Sequence, residues 1–288
     1  MKRALLACVA VLLLLVGTLL ASASGRAYWR AFIRGDVAPP SEAASTLVIA
    51  GGDGASIPPS APEEQGLDAA SLAAARGTAR SLGAAAFAVA RRGHLVLSWS
   101  ADGDDSLVRS PLLSQLVLAA SDAAAGAPTP DVADWAARVS RELWKPLQAR
   151  AARIERDASG NPRLHCCVWL RARDALALAT ALTGGGQING ERLMAPEAAA
   201  RALQSMDDGV APRGAEPFGP RPARLWRDGE GSRLYSFPAQ ELVILLVRAD
   251  EGRLTDETAI AHEVLRGIVD RPATPPAAPS PRELVPAH

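Results

Sequence analysis

The chain is poor in the residue types on which reactive sites most often depend. Cysteine occurs 3 times in 288 residues, at Cys8, Cys166 and Cys167. That excludes a disulfide framework, and no Cys or Cys/His spacing of a zinc site recurs. Joining adjacent cysteines requires a strained turn, so Cys166 and Cys167 are expected as two thiols buried side by side. Of 31 basic residues only Lys2 and Lys145 are lysines, and there are 4 histidines and 2 tyrosines. Net charge is absent as well, with 31 basic against 31 acidic residues. This balance predicts no polyanion partner, and no nucleic-acid partner is expected. Phosphate loops are missing: Gly51-Gly52-Asp53-Gly54 lacks the lysine, and Gly184-Gly185-Gly186 closes an apolar helix instead of opening one. Nothing calls for a metal or a cofactor.

Apolar residues, by contrast, are concentrated at the N-terminus. Lys2 and Arg3 precede a run of 18 residues from Ala4 to Ala21, a positive region feeding a hydrophobic one. Such a run sits near the lower limit for crossing a hydrocarbon core of about 30 Å. Ala21-Ser22-Ala23 supplies the small residues of a cleavage site, whereas Tyr28, Trp29 and Phe32 suit an interfacial belt. The leading expectation is a single-pass anchor in the cytoplasmic membrane through residues 4–21, with the remainder outside the cytoplasm. Cleavage near Ser24, giving a periplasmic or secreted protein, is the alternative. Residues 1–23 are thus a signal anchor or signal peptide, 24–63 a membrane-proximal tether or irregular lead-in strand, and 64–270 one globular domain. Residues 271–288, with their run of prolines, are a disordered tail.

Within the domain, Leu67 to Leu82 is Ala-rich and helical, with Gly83 as its stop. Alternation of Phe87 and Val89, then of Leu95, Leu97 and Trp99 around Arg91-Arg92-Gly93, predicts a β-hairpin. Helices are expected from Ser110 to Ala124, starting at Pro111, from Asp134 to Leu147, from Arg171 to Leu182 and from Pro196 to Leu203. Arg171 to Leu182 is apolar on nearly every side, which predicts a central helix. Strands follow at Leu225, at Leu234 to Phe237 and at Leu242 to Val247, and a last helix through Ile260, Val264 and Leu265 lies behind Thr255 as N-cap. This order predicts an α/β (α+β) domain, a sheet assembled from distant segments with helices on both faces.

Three stretches, in order, carry a resemblance. Ala86 to Trp99 is similar to the first hairpin of the β-lactamase-related serine hydrolases, which include class C β-lactamases, D-alanyl-D-alanine carboxypeptidases, certain esterases and 6-aminohexanoate-dimer hydrolases. Ala172-Arg173-Asp174-Ala175 with Leu182, Gly185-Gly186, Gly190 to Leu193 and Pro196-Glu197 resembles an internal segment of that family. Asp228 to Pro238 and Glu241 to Val247 resemble its closing strands. The resemblance implies a β-lactamase/transpeptidase-like fold: a central, mostly antiparallel sheet flanked by helices, here with a reduced helical insertion. It also implies acyl transfer by a serine at the start of a buried helix, with a lysine one turn later, a tyrosine from the insertion, and backbone amides holding the oxyanion.

The chain departs from that pattern at each side chain. Val108-Arg109-Ser110-Pro111-Leu112-Leu113-Ser114 stands where Ser-x-x-Lys belongs. Aligning Pro111 with the nucleophile puts Ser114 in the lysine's place, and aligning Ser110 leaves Leu113 there. Neither lysine of the chain lies three residues after a serine, and no tyrosine occupies the insertion. Trp226-Arg227-Asp228-Gly229 keeps only a cation and a glycine of the third motif. A hydroxyl without a base is a poor nucleophile, so the degenerate positions Ser110, Pro111 and Ser114 are expected to be inert, with Ser110 capping the helix and Ser114 facing a wet cleft.

A rearranged triad would draw on His94 or His165 and on Asp174. The plainer expectation makes His94 a solvated turn residue, His165 a buried residue, and Asp174 an acceptor for unpaired N–H groups at its helix start. Arg171 and Arg173 should pair with acids on neighbouring loops. Trp226, Arg227 and Gly229 are the candidates for a ligand cleft, and Trp99, Trp135, Trp144 and Trp169 either join them or anchor the core. Three functions remain in competition: a non-catalytic domain binding a peptide, a cell-wall fragment or a protein; a serine hydrolase with a rearranged site; and a structural partner of an active homologue.

Overall fold

A computed structural model describes residues 46–269 apart from 55, 126–131, 158, 210–223 and 249–257. The apolar run, the stretch up to residue 45, the capping role of Thr255 and the proline-rich tail lie outside these residues. Among the described residues no helix is long and apolar enough to cross a membrane.

A five-stranded antiparallel sheet in the order β3-β2-β11-β10-β9 forms the centre. Its strands are β2 (Ala84–Arg91), β3 (His94–Ser100), β9 (Arg224–Arg227), β10 (Arg233–Phe237) and β11 (Leu242–Arg248). The N-terminal hairpin and the C-terminal strands meet through β2 and β11, where Val89 faces Ile244 and Phe87 faces Leu246. Both strands are buried on both faces, and their side chains divide by the two-residue period. Ala86, Ala88, Ala90, Val243 and Leu245 join the larger core on one face, and Phe87, Val89, Ile244 and Leu246 join a smaller core on the other. The smaller core is closed by α1 (Ala69–Ser81) and α6 (Ala259–Arg266) through Leu72, Ala75, Ile260 and Val264.

The larger core holds α2 (Pro111–Ala125), α4 (Ala172–Thr183) and α5 (Pro196–Gly209), while α3 (Val132–Val139) lies at its margin and runs into a wider turn over Ser140–Trp144. Helix α4 is the central helix expected from its composition. Leu176, Leu178 and Leu182 are buried, and the methyl-sized side chains of β2 on this face let a helix approach the sheet closely.

A second antiparallel sheet, in the order β1-β5-β6-β4, comprises β1 (Leu47–Ile49), β5 (Ala152–Ile154), β6 (Val168–Arg171) and β4 (Leu107–Arg109). A short hairpin, β7 (Gln187–Ile188) and β8 (Glu191–Arg192), follows α4. Strand β1 shows that the fold begins before residue 64: Leu47–Ile49 pairs with β5, and Ile49 and Ile57 are fully buried. The glycines beside it have a packing role. Gly52 N–H donates to Ala149 C=O at 2.6 Å and Gly54 N–H to Gln148 C=O at 3.0 Å. A Cβ on Gly51 would lie 2.1 Å from the Ala149 oxygen.

Cys166 and Cys167 are joined to each other by a disulfide, which corrects the expectation of two thiols. The pair lies in a tight turn closed by Cys167 N–H on Arg163 C=O at 3.2 Å.

Candidate functional site

The site suggested by the sequence is the N-terminus of α2, where the edge turn between β9 and β10 meets it. Ser110 is fully buried, and its Oγ accepts the amide hydrogen of Leu113 at 3.2 Å, the N-cap geometry that satisfies one of the first-turn donors. Pro111 is half-buried and opens the helix. Ser114 does not face a wet cleft. It is fully buried, its Oγ donating to Ser110 C=O and accepting from Val168 N–H, both at 3.2 Å. The cause is register: one turn into the helix, Ser114 faces the start of β6, whose amide needs an acceptor.

A carboxylate to which the sequence assigns no role completes the site. Asp228 Oδ2 accepts from Leu112 N–H at 3.1 Å, and its Oδ1 accepts from Glu230 N–H at 3.1 Å and Ser232 N–H at 2.8 Å. The side chain shapes its own turn and at the same time places negative charge on the positive end of a 15-residue helix, an arrangement the helix dipole favours. Its only sequence signal was the Asp-Gly pair of a turn. Arg227 is half-buried and Gly229 exposed beside it. Trp226 is not a cleft residue: it is fully buried in the larger core. Trp135 and Trp144 are buried too, and of the tryptophans among the described residues only Trp99 and Trp169 reach the surface.

The components of a rearranged triad are not brought together. His94 is half-buried in the hairpin turn with Nδ1 2.9 Å from Arg92 C=O, and His165 is exposed instead of buried. Asp174 is 1% exposed and fully engaged elsewhere. It receives Arg171 Nε and Nη2 at 2.7 and 2.8 Å, Ser56 Oγ at 2.7 Å and the Arg150 amide at 3.2 Å. It therefore clamps the lead-in segment and the loop before β5 onto α4 instead of accepting amides at its own helix start. Arg171 also reaches Asp105 at 3.0 Å and Gly54 C=O at 3.2 Å. Burial works against the charge on Arg171, but the hydrogen bond and charge of Asp174, and then those of Asp105, outweigh it and raise its pKa above the ordinary arginine value. The hydrogen bond from Arg171 in turn lowers the Asp105 carboxyl below the usual range.

Two adjoining cavities of about 300 and 460 Å³ lie at the other end of the β9-β10 pair, and both are lined by Thr183, Ser236 and Pro238. They are remote in register from Asp228: Ser236 pairs with Arg224, whereas the turn carrying Asp228 follows Arg227. Among the described residues no group of three or more acidic, histidine or cysteine side chains is placed to hold a metal ion.

No protein-family model matches the sequence, and no curated protein matches it. Solved structures do match in fold. A Bacillus anthracis protein described as a 6-aminohexanoate-dimer hydrolase superposes with a TM-score of 0.56 at 10% identity, over 77% of this chain and 89% of that one. A family VIII carboxylesterase follows at a TM-score of 0.46 and 12% identity, over 70% of this chain and 98% of that one. The chain has the β-lactamase/transpeptidase-like fold.

Proposed function

We propose that this is a β-lactamase-like domain without acyl-transfer chemistry, which acts by binding a peptide, cell-wall fragment or protein at the outer face of the cytoplasmic membrane. The observation that carries the proposal is the carboxylate of Asp228 on the amide of Leu112. Acyl transfer needs donors left free for a developing oxyanion, and here a first-turn amide is taken by a fixed negative charge that would repel one. The serines add to this support, since the hydroxyls of Ser110 and Ser114 already serve the helix and β6. Each missing proton-transfer group forfeits about 10²–10⁴ in rate, and both the lysine and the tyrosine are missing. Membrane placement rests on the apolar run from Ala4 to Ala21.

The test is turnover of a chromogenic cephalosporin and of a nitrophenyl ester. Wild-type protein should match its Ser110→Ala and Ser114→Ala variants, all at the buffer rate. Hydrolysis by the wild type that either variant abolishes would overturn the proposal.

A further inference from the structure

The second sheet sets one residue from each strand in a single row. Val48 lies opposite Arg153, Arg153 opposite Trp169, and Trp169 opposite Arg109. The row faces away from the core. Its neighbours along the strands, Ile49, Val108, Ala152, Ile154, Val168 and Leu170, are buried, whereas Arg109 and Arg153 are exposed and Val48 is 51% exposed. The Arg109 guanidinium stands 5.4 Å from the centroid of the half-buried Trp169 ring, whose Nε1 donates to Glu155 at 2.7 Å. Neither Arg109 nor Arg153 pairs with a carboxylate among the described residues. The acids at the margin are already engaged: Asp105 meets Arg171 at 3.0 Å and Arg150 at 3.4 Å, and Glu155 meets Arg163 at 3.8 Å. The result is a cationic row with an amphipathic ring between two guanidiniums and an apolar side chain at one end.

We infer that this row docks on anionic phospholipid headgroups, a second contact with the membrane made by the folded domain. The inference rests on the membrane placement proposed above. Charge complementarity selects an anionic surface, and a tryptophan with an apolar body and a polar edge suits the headgroup level. Chain connection selects the bilayer over a soluble acidic partner. Val48 belongs to β1, where the chain enters the fold, and 25 residues separate Ala21 from Leu47. Each arginine near an anionic surface contributes about fivefold in association. A contact that weak is effective because the anchor makes it intramolecular.

The test uses the full chain with vesicles of pure phosphatidylglycerol and, separately, of pure phosphatidylcholine. Arginine reactivity toward phenylglyoxal is read peptide by peptide by mass spectrometry, and flotation reports association. Arg109 and Arg153 should react several-fold more slowly on phosphatidylglycerol than on phosphatidylcholine, with the difference removed by high salt. Arg92, whose side chain is 50% exposed in the turn between β2 and β3, should react equally on both. Equal reactivity of Arg109 and Arg153 on the two lipids in a chain that floats with both overturns the docking and leaves the anchor standing. Flotation on phosphatidylglycerol alone, with those arginines protected, supports the docking and removes the anchor. Flotation with neither overturns both.

Discussion

Ser114 Oγ lies 3.2 Å from the amide nitrogen of Val168 and accepts its hydrogen, joining α2 to β6 inside the core. The residue one turn into the helix, where the resemblance expects a lysine, is thus a fastener between two elements. Its removal should be felt in stability. Ser114→Ala leaves a buried amide without its acceptor and should cost about 1–3 kcal/mol. Ser110→Ala removes the N-cap and should cost about 0.5–2 kcal/mol. Urea denaturation checks both, and unchanged midpoints would refute the structural roles.

The Arg171–Asp174 pair is buried on both sides. Because loss of one member strands the other's charge, Asp174→Ala should destabilise by about 3–5 kcal/mol. Replacing both together should cost less than the sum of the two single changes, and a double-mutant cycle by thermal or urea denaturation measures the difference.

Leu178 is fully buried at the centre of α4. Leu178→Ala should destabilise by about 2–5 kcal/mol through the cavity it opens. A loss below about 0.5 kcal/mol, the surface range, would remove the residue from the core.

Acid sensitivity follows from Asp105, whose carboxyl is held below its ordinary value of 3.8, first by the hydrogen bond from Arg171. A depressed folded pKa means the unfolded chain binds the proton more readily. The stabilisation is therefore present above the ordinary value and is lost as pH falls through the folded one. Asp105→Asn should lower the urea midpoint slightly at neutral pH, the effect being small because Asp105 is itself exposed, and should converge with the wild type in acid, so that the fall between about pH 5 and about pH 2 is flattened.

The parts of the fold legible in the sequence are those whose burial imposes a period or a length. Phe87 and Val89 alternate because β2 separates two cores, and the run from Ala172 to Thr183 is apolar all round because α4 touches neighbours on every side. Strands of three residues, such as Leu47–Ile49, Leu107–Arg109 and Ala152–Ile154, are too short to show a period. The second sheet therefore escaped notice, and the row on its outer face with it. Trp226 was misplaced because an aromatic next to Arg227 and Asp228 carries the same signal in a cleft as in a core. His165 was misplaced because it lies in the turn before Cys167, and an adjacent pair of cysteines does not reveal that turn in sequence. Asp228 is the largest gap. An aspartate before glycine reads as a turn residue, and only the folded chain brings it to the amide of Leu112, 116 residues away in sequence.

The central claim is that the start of α2 is a structural junction without an activated hydroxyl. Its most direct measurement is the intact mass of the protein after incubation with a fluorophosphonate and, separately, with a β-lactam, followed by peptide mapping of Ser110 and Ser114. The mass should be unchanged with both reagents. A stoichiometric adduct on either serine, lost in the matching alanine variant, would show a working nucleophile and contradict the account.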